Sequence, residues 1–214
     1  MRDQYGFRPT GSTEKNKLRI NITKTKEIVF WRTKQASKKH NIPMIQNIER
    51  VEHAKLLGVH FVSDMTWSIH LDHVLSKVSQ SFYLLNQLKQ MKLNISGLNT
   101  VYRAISLSQI EYALPVFSGA LRQSDIERIN STVRKARRRG LTNLDINFGN
   151  MSERMDRDLF RKTLEHEHCL NQLLPLRKDN QHNLRITTVS KYNIQKINNE
   201  KLRKSFIIRN CIKE

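Results

Sequence analysis

The chain has 214 residues, long enough for one sizeable domain or two small ones, and its 38 Lys and Arg against 19 Asp and Glu give a net charge of +19 and a pI near 10.3. Such an excess points to a polyanionic partner, nucleic acid first, with a Lys/Asn-rich compositional bias as the bland alternative. Two cysteines, Cys169 and Cys211, with no CxxC pair exclude a zinc framework and a disulfide lattice. The polar N-terminus argues against a signal peptide, and no apolar run nears the ~20 residues of a membrane span. The expected setting is intracellular, nucleus or cytoplasm, with no membrane partner and with reduced thiols.

Residues 1–16 are polar, contain Gly6, Pro9 and Gly11, and read as loop. A β-branched run ending in Phe30 and Trp31 predicts a strand over Lys26 to Trp31, and two further short strands are expected over Ile42 to Ile48 and Ala54 to Val62. Helical period then takes over, with a division expected near residue 65. Leu71, Val74, Leu75, Val78, Phe82, Leu85 and Leu88 form one apolar stripe within residues 68–91. Ser96 is the expected N-cap of a second helix reaching Pro115, and Ser124 that of a third with Ile126, Ile129, Val133 and Ala136 inside. A fourth is expected from about Ser152 to Leu174, stopped by Pro175. From Leu176 onward the chain is basic and Asn-rich, with one short helix expected near Asn199–Ile208. The fold class is therefore α+β: a strand-rich part over 17–64, a helical part over 65–175 and a basic tail over 176–214.

Six stretches, in order, resemble one family. Asp3-Gln4-Tyr5-Gly6-Phe7-Arg8-Pro9-Thr10-Gly11-Ser12-Thr13 looks like a fingers motif of non-LTR (LINE-type, jockey-like) retrotransposon reverse transcriptases. Asn21-Ile22-Thr23-Lys24-Thr25-Lys26-Glu27 resembles that family's late-palm motif, and Leu56-Leu57-Gly58-Val59 the hairpin that follows it. Leu71 to Leu93 and Leu98 to Ser118 are similar to two long thumb helices, and His182-Asn183-Leu184-Arg185 to a turn near the C-terminus. The resemblance implies a strand-rich palm remnant and a helical thumb, with Gly6, Phe7, Arg8, Asn21, Lys24, Thr25, Leu57 and Gly58 as the motif positions.

The departure from the family pattern matters as much. The stretch that carries the metal-binding aspartates is missing, because Thr13 is followed directly by Glu14-Lys15-Asn16-Lys17. Nucleotide addition needs two divalent metals held by carboxylates. The active family uses Mg2+, whose ligands are absent here, so no cofactor and no catalytic residue is expected. Phe61-Val62-Ser63-Asp64 spells F-x-x-D at a position where the family has a surface turn. Asp156 and Asp158 are read as lying at a polar helix start. Lys24, which in the family lies near the incoming nucleotide, reads as a solvated turn residue.

His70-Leu71-Asp72 spells the HxD of iron/2-oxoglutarate dioxygenases, but it opens a helix, where positions i and i+2 diverge. An AlkB-type dioxygenase-associated helical segment without the oxygenase site is the distant alternative. His166, His168 and Cys169 are at the wrong step for one helix face, so no metal site is expected, and Trp31 and Trp67 read as core or strand-end anchors.

What remains is binding. Lys135, Arg137, Arg138 and Arg139 are the densest basic run, either tracking a phosphate backbone or solvating a helix end. Lys77, Lys89, Lys92 and Arg103 join them as candidate backbone contacts. The expected partner is RNA or DNA bound without sequence preference, not a small-molecule substrate. The alternatives are a domesticated helical interaction module or a relic without a selected role.

Overall fold

The computed structural model describes residues 21–31, 42–45, 47–178, 191–194, 197 and 199–213. Gly6, Phe7, Arg8 and the His182–Arg185 stretch lie outside them. The described residues are mostly helical with two small sheets, an α+β composition. The chain divides into two compact units between His70 and Leu71.

In the first unit, β1 (Lys26–Glu27) pairs in parallel with β2 (Glu49–Arg50). The strand expected over Lys26 to Trp31 is shortened to two residues; beyond it, the Trp31 amide donates singly to the Ser63 carbonyl at 2.9 Å. The strand expected over Ile42 to Ile48 does not form. Pro43 lacks an amide hydrogen, Asn47 sits at φ 62°, and the Ile48 amide closes a turn onto Ile45. Arg50 holds this segment instead, donating to the carbonyls of Ile42 and Pro43 at 2.8 Å each and pairing with Glu27 at 2.7 Å.

The third expected strand is a hairpin, β3 (His53–Leu56) and β4 (Val59–Val62), whose last paired residues are Leu56 and Val59. Leu57 and Gly58 form its two-residue turn at φ 47° and 84°. Two positive φ values define the tight hairpin turn that Asn-Gly favours. Gly58 meets this without cost, whereas a left-handed leucine costs roughly 1–2 kcal/mol, and Leu57 is also 82% exposed. Leu57→Asn is therefore expected to stabilise the unit by about 1 kcal/mol, read as a higher urea midpoint; a lower midpoint would show that the Leu57 side chain is needed where it is.

Helix α1 (Ser68–Gln90) starts in the first unit, where Trp67 packs edge-on against Phe61 at 5.5 Å. In the second unit its stripe of Leu71, Val74, Leu75, Val78, Phe82 and Leu85 is buried as the period requires, with Leu88 half-buried. α2 (Ile95–Tyr102) is capped by Asn94, whose side chain accepts from the Gly97 amide at 2.8 Å, not by Ser96. It runs through a π-helical turn (Arg103–Leu107) into α3 (Ser108–Glu111).

Pro115 does not end this helix. The break comes at Ala113, at φ 55°, and Pro115 lies in the first turn of α4 (Leu114–Phe117), where its missing amide hydrogen costs nothing. α5 (Gln123–Arg138) starts after Arg122, which puts Ser124 inside its first turn. α6 (Phe148–Thr163) is capped by Asn147, earlier than the expected Ser152. It also ends well before Leu174. The Thr163 hydroxyl donates to the Phe160 carbonyl at 2.6 Å and the Asn171 amide nitrogen to the Thr163 carbonyl at 3.0 Å, so side chains take up the final carbonyls.

The expected tail helix is two, α7 (Glu200–Arg203) and α8 (Phe206–Lys213), separated where the Ser205 hydroxyl donates to Leu202. α6 packs against α4, α5 and α8. Between α6 and the tail lies a small core of Phe160, Tyr192 and Cys211, walled by Leu174, Ile194, Phe206 and Ile207. No helix among the described residues is long and apolar enough to cross a membrane.

Candidate nucleic-acid interface

α5 owes its position to Ile129, Val133 and Ala136, buried at i, i+4 and i+7. Fixing that stripe inward turns Arg134, Lys135 and Arg138 outward, within an arc of about 100° by the helical period. All three are exposed, and none forms an ion pair with a described residue. Ser131, Arg134, Arg137 and Arg138 line an open hollow of about 610 Å3. Arg134 directly precedes Lys135 and is missing from the basic run named in the sequence; its phase relative to the apolar stripe is the signal that places it there.

The C-terminal end of α5 is built closely. Gly140 at φ 64° sends its amide to the Arg137 carbonyl at 2.9 Å, and the buried Leu141 sends its own to Ala136 at 3.1 Å. This paired closure satisfies two carbonyls that a helix end leaves open. A third, that of Arg139, accepts from Lys89 Nζ at 2.6 Å. Lys89 is thus engaged with the helix terminus, where a cation is favoured. The connection onward is held by Asn99, whose side-chain oxygen accepts from the Thr142 hydroxyl at 2.7 Å and the Asn143 amide at 3.2 Å.

The other basic residues are spread out. Arg137 pairs with Asp145 at 3.0 Å in an exposed contact, the kind that contributes little. Arg128, on a neighbouring face of α5, pairs with Asp72 and Asp125. Lys77 is exposed on α1 and Arg103 on the π turn. Lys92, just beyond α1, takes φ 61° and closes that helix as Gly140 closes α5. In the first unit, Asn21 caps the short turn Ile22–Lys24, accepting from the Lys24 amide at 3.2 Å and the Thr23 hydroxyl at 2.6 Å, while the Thr25 hydroxyl donates to the Asn21 carbonyl. Lys24 is exposed there.

Among the described residues, the acidic side chains do not cluster as a pair of divalent cations requires. Asp64 accepts from the Thr66 amide and hydroxyl at 2.9 and 2.7 Å, closing the turn before α1. Asp156 is not at a helix start but in the middle of α6, buried and bound to Arg209, whereas Asp158 is exposed. No three His, Cys, Asp or Glu side chains converge on a metal-sized space among the described residues. His70 is buried while Asp72 is exposed and bound to Arg128, and His168 accepts from the Leu170 amide. The described carboxylates do not fit two catalytic cations.

No family model matches this chain, and no curated protein and no solved structure matches it.

Proposed function

We propose that the chain is a catalytically inactive remnant of a LINE-type reverse transcriptase, its first unit a palm fragment and its second the thumb, which binds RNA or DNA without sequence preference. The reading rests on the order of motifs in the sequence and on one structural observation: Arg134, Lys135 and Arg138 share an exposed face of α5 without ion-pair partners among the described residues. Cations so arranged suit a phosphate backbone, gain affinity through counterion release and carry no base information.

The test is binding of a labelled RNA–DNA hybrid across a salt series, with magnesium-dependent primer extension run on the same samples. Affinity should fall steeply with salt, and no extension should exceed background. Arg134→Ala with Arg138→Ala should reduce the slope of log affinity against log salt by about 2, roughly one per lost phosphate contact. A slope that does not change would remove α5 from the interface, and extension by the purified chain would overturn the reading as a whole.

A further inference from the structure

A second group of cations lies on α6 and α8. Between α6 and α8 is a cavity of about 350 Å3, lined by Glu153, Arg157, Phe160, Arg161, Leu164, Asn210 and Lys213. Its α6 wall is one face of the helix, with Arg157 and Arg161 a turn apart and Phe160 forming an apolar floor. Lys213 closes it from α8. Asn210 is fixed at the wall, its side-chain nitrogen donating to the Phe206 carbonyl at 2.8 Å.

The charges around this cavity are unbalanced in a specific way. Elsewhere on the same two helices, Arg154 pairs with Glu111 and Arg209 with Asp156. The side chains of Arg157, Arg161 and Lys213 form no ion pair or hydrogen bond with a described residue, although Glu153 lines the same space. Among the described residues that line the cavity, three cations and one carboxylate leave a formal charge of +2. That charge matches a phosphomonoester, about −1.5 to −2 at neutral pH, better than an internal phosphodiester with its single charge. Guanidinium forks suit phosphate oxygens bidentately, and the Phe160–Leu164 floor offers an apolar surface to what the phosphate carries.

We infer that the α6–α8 cavity is a phosphomonoester site, in which Arg157, Arg161 and Lys213 receive the dianion. The phosphate can be the end of a nucleic-acid strand or a free nucleotide. The site differs from the α5 face in residues and shape, and stands whether or not α5 binds a backbone.

The experiment uses the full chain and four probes: adenosine 5′-monophosphate, adenosine, and a short labelled oligothymidylate with either a 5′-phosphate or a 5′-hydroxyl. The expected result is binding of the monophosphate without binding of adenosine, a preference of about tenfold for the 5′-phosphorylated strand, or both. The first result alone assigns the site to free nucleotides, and the second to strand ends. Arg157→Ala with Arg161→Ala should erase either preference, with the circular dichroism spectrum retained because both side chains are exposed. Equal affinities within both probe pairs would overturn the inference, as would a preference that survives the double substitution. Failure of the α5 reading shows separately, as loss of salt-dependent binding of the 5′-hydroxyl strand.

Discussion

Replacing Asp156 with Ala is expected to destabilise the helical unit by about 3–5 kcal/mol, the scale on which a buried ion pair fails when one partner is removed. Arg209 reaches from α8 to donate to both Asp156 oxygens, from Nε at 2.8 Å and Nη2 at 2.6 Å. Nη2 also donates to the Pro115 carbonyl and the Ser118 hydroxyl, and Nη1 to the Lys204 carbonyl. The guanidinium lies 5.6 Å from the Phe206 ring centroid. The two side chains are only 12% and 5% exposed, so removing the carboxylate leaves a buried cation with neutral acceptors alone.

Gly119 is part of the same construction: a Cβ there would come within 2.5 Å of the Lys204 carbonyl oxygen and 2.6 Å of Arg209 Nη1. The measurement is the urea midpoint, together with hydrogen exchange of the α8 amides, which should lose protection. Asp156→Leu with Arg209→Met should recover much of the loss, because a matched apolar pair avoids the desolvation cost. A change below about 1 kcal/mol for Asp156→Ala would show that the guanidinium is satisfied without the carboxylate.

The second large effect is alkaline. Tyr102 is fully buried at the end of α2, and burial pushes its phenol up to about 12 from an ordinary value of 10.0. Its hydroxyl has no hydrogen-bond partner among the described residues. Folded Tyr102 keeps its proton between pH 10 and 12, whereas the unfolded chain gives it up. The unfolded state thus binds fewer protons in that window, and stability falls as pH rises through it; below about pH 10 this contribution is fully retained. The loss approaches roughly 2–3 kcal/mol across the window at about 1.4 kcal/mol per pH unit.

Tyr102→Phe should remove this component and, by deleting a buried unpartnered hydroxyl, add about 1 kcal/mol at neutral pH. The comparison is the urea midpoint of both proteins at pH 8, 10 and 11, read as a difference so that the remaining lysines and tyrosines cancel. Parallel curves would show that Tyr102 ionises as readily folded as unfolded.

These sites differ in how far the sequence discloses them. The inward face of α1 is written in its period, because six leucine, valine and phenylalanine positions leave one solution for a helix that must hide them. The outward arc of α5 follows equally from its apolar stripe, which groups Arg134 with Lys135 and Arg138 by phase, whereas counting neighbouring cations groups Arg137 and Arg139 with them instead. Helix ends were less legible. Asn94, not Ser96, caps α2, and Asn147 starts α6 ahead of Ser152, although asparagine and serine are both good caps in isolation. The Asp156–Arg209 pair had no local trace, since its members stand 53 residues apart and each resembles an ordinary surface charge until the helices meet. The same holds for Lys213 and the α6 arginines. The likeness to reverse transcriptases is a property of motif order, and it rests on the sequence alone.

The 53-residue separation has a kinetic side. Hairpin β3–β4 closes through a two-residue loop, on a scale of microseconds. The Arg209 clamp instead requires the chain between α6 and α8 to lose its freedom before any contact rewards it. Contacts of that kind form late, and stabilisation gained after the transition state appears in the unfolding rate rather than the folding rate. The guanidinium therefore acts as a latch: it does little to hasten folding and slows escape from the folded state.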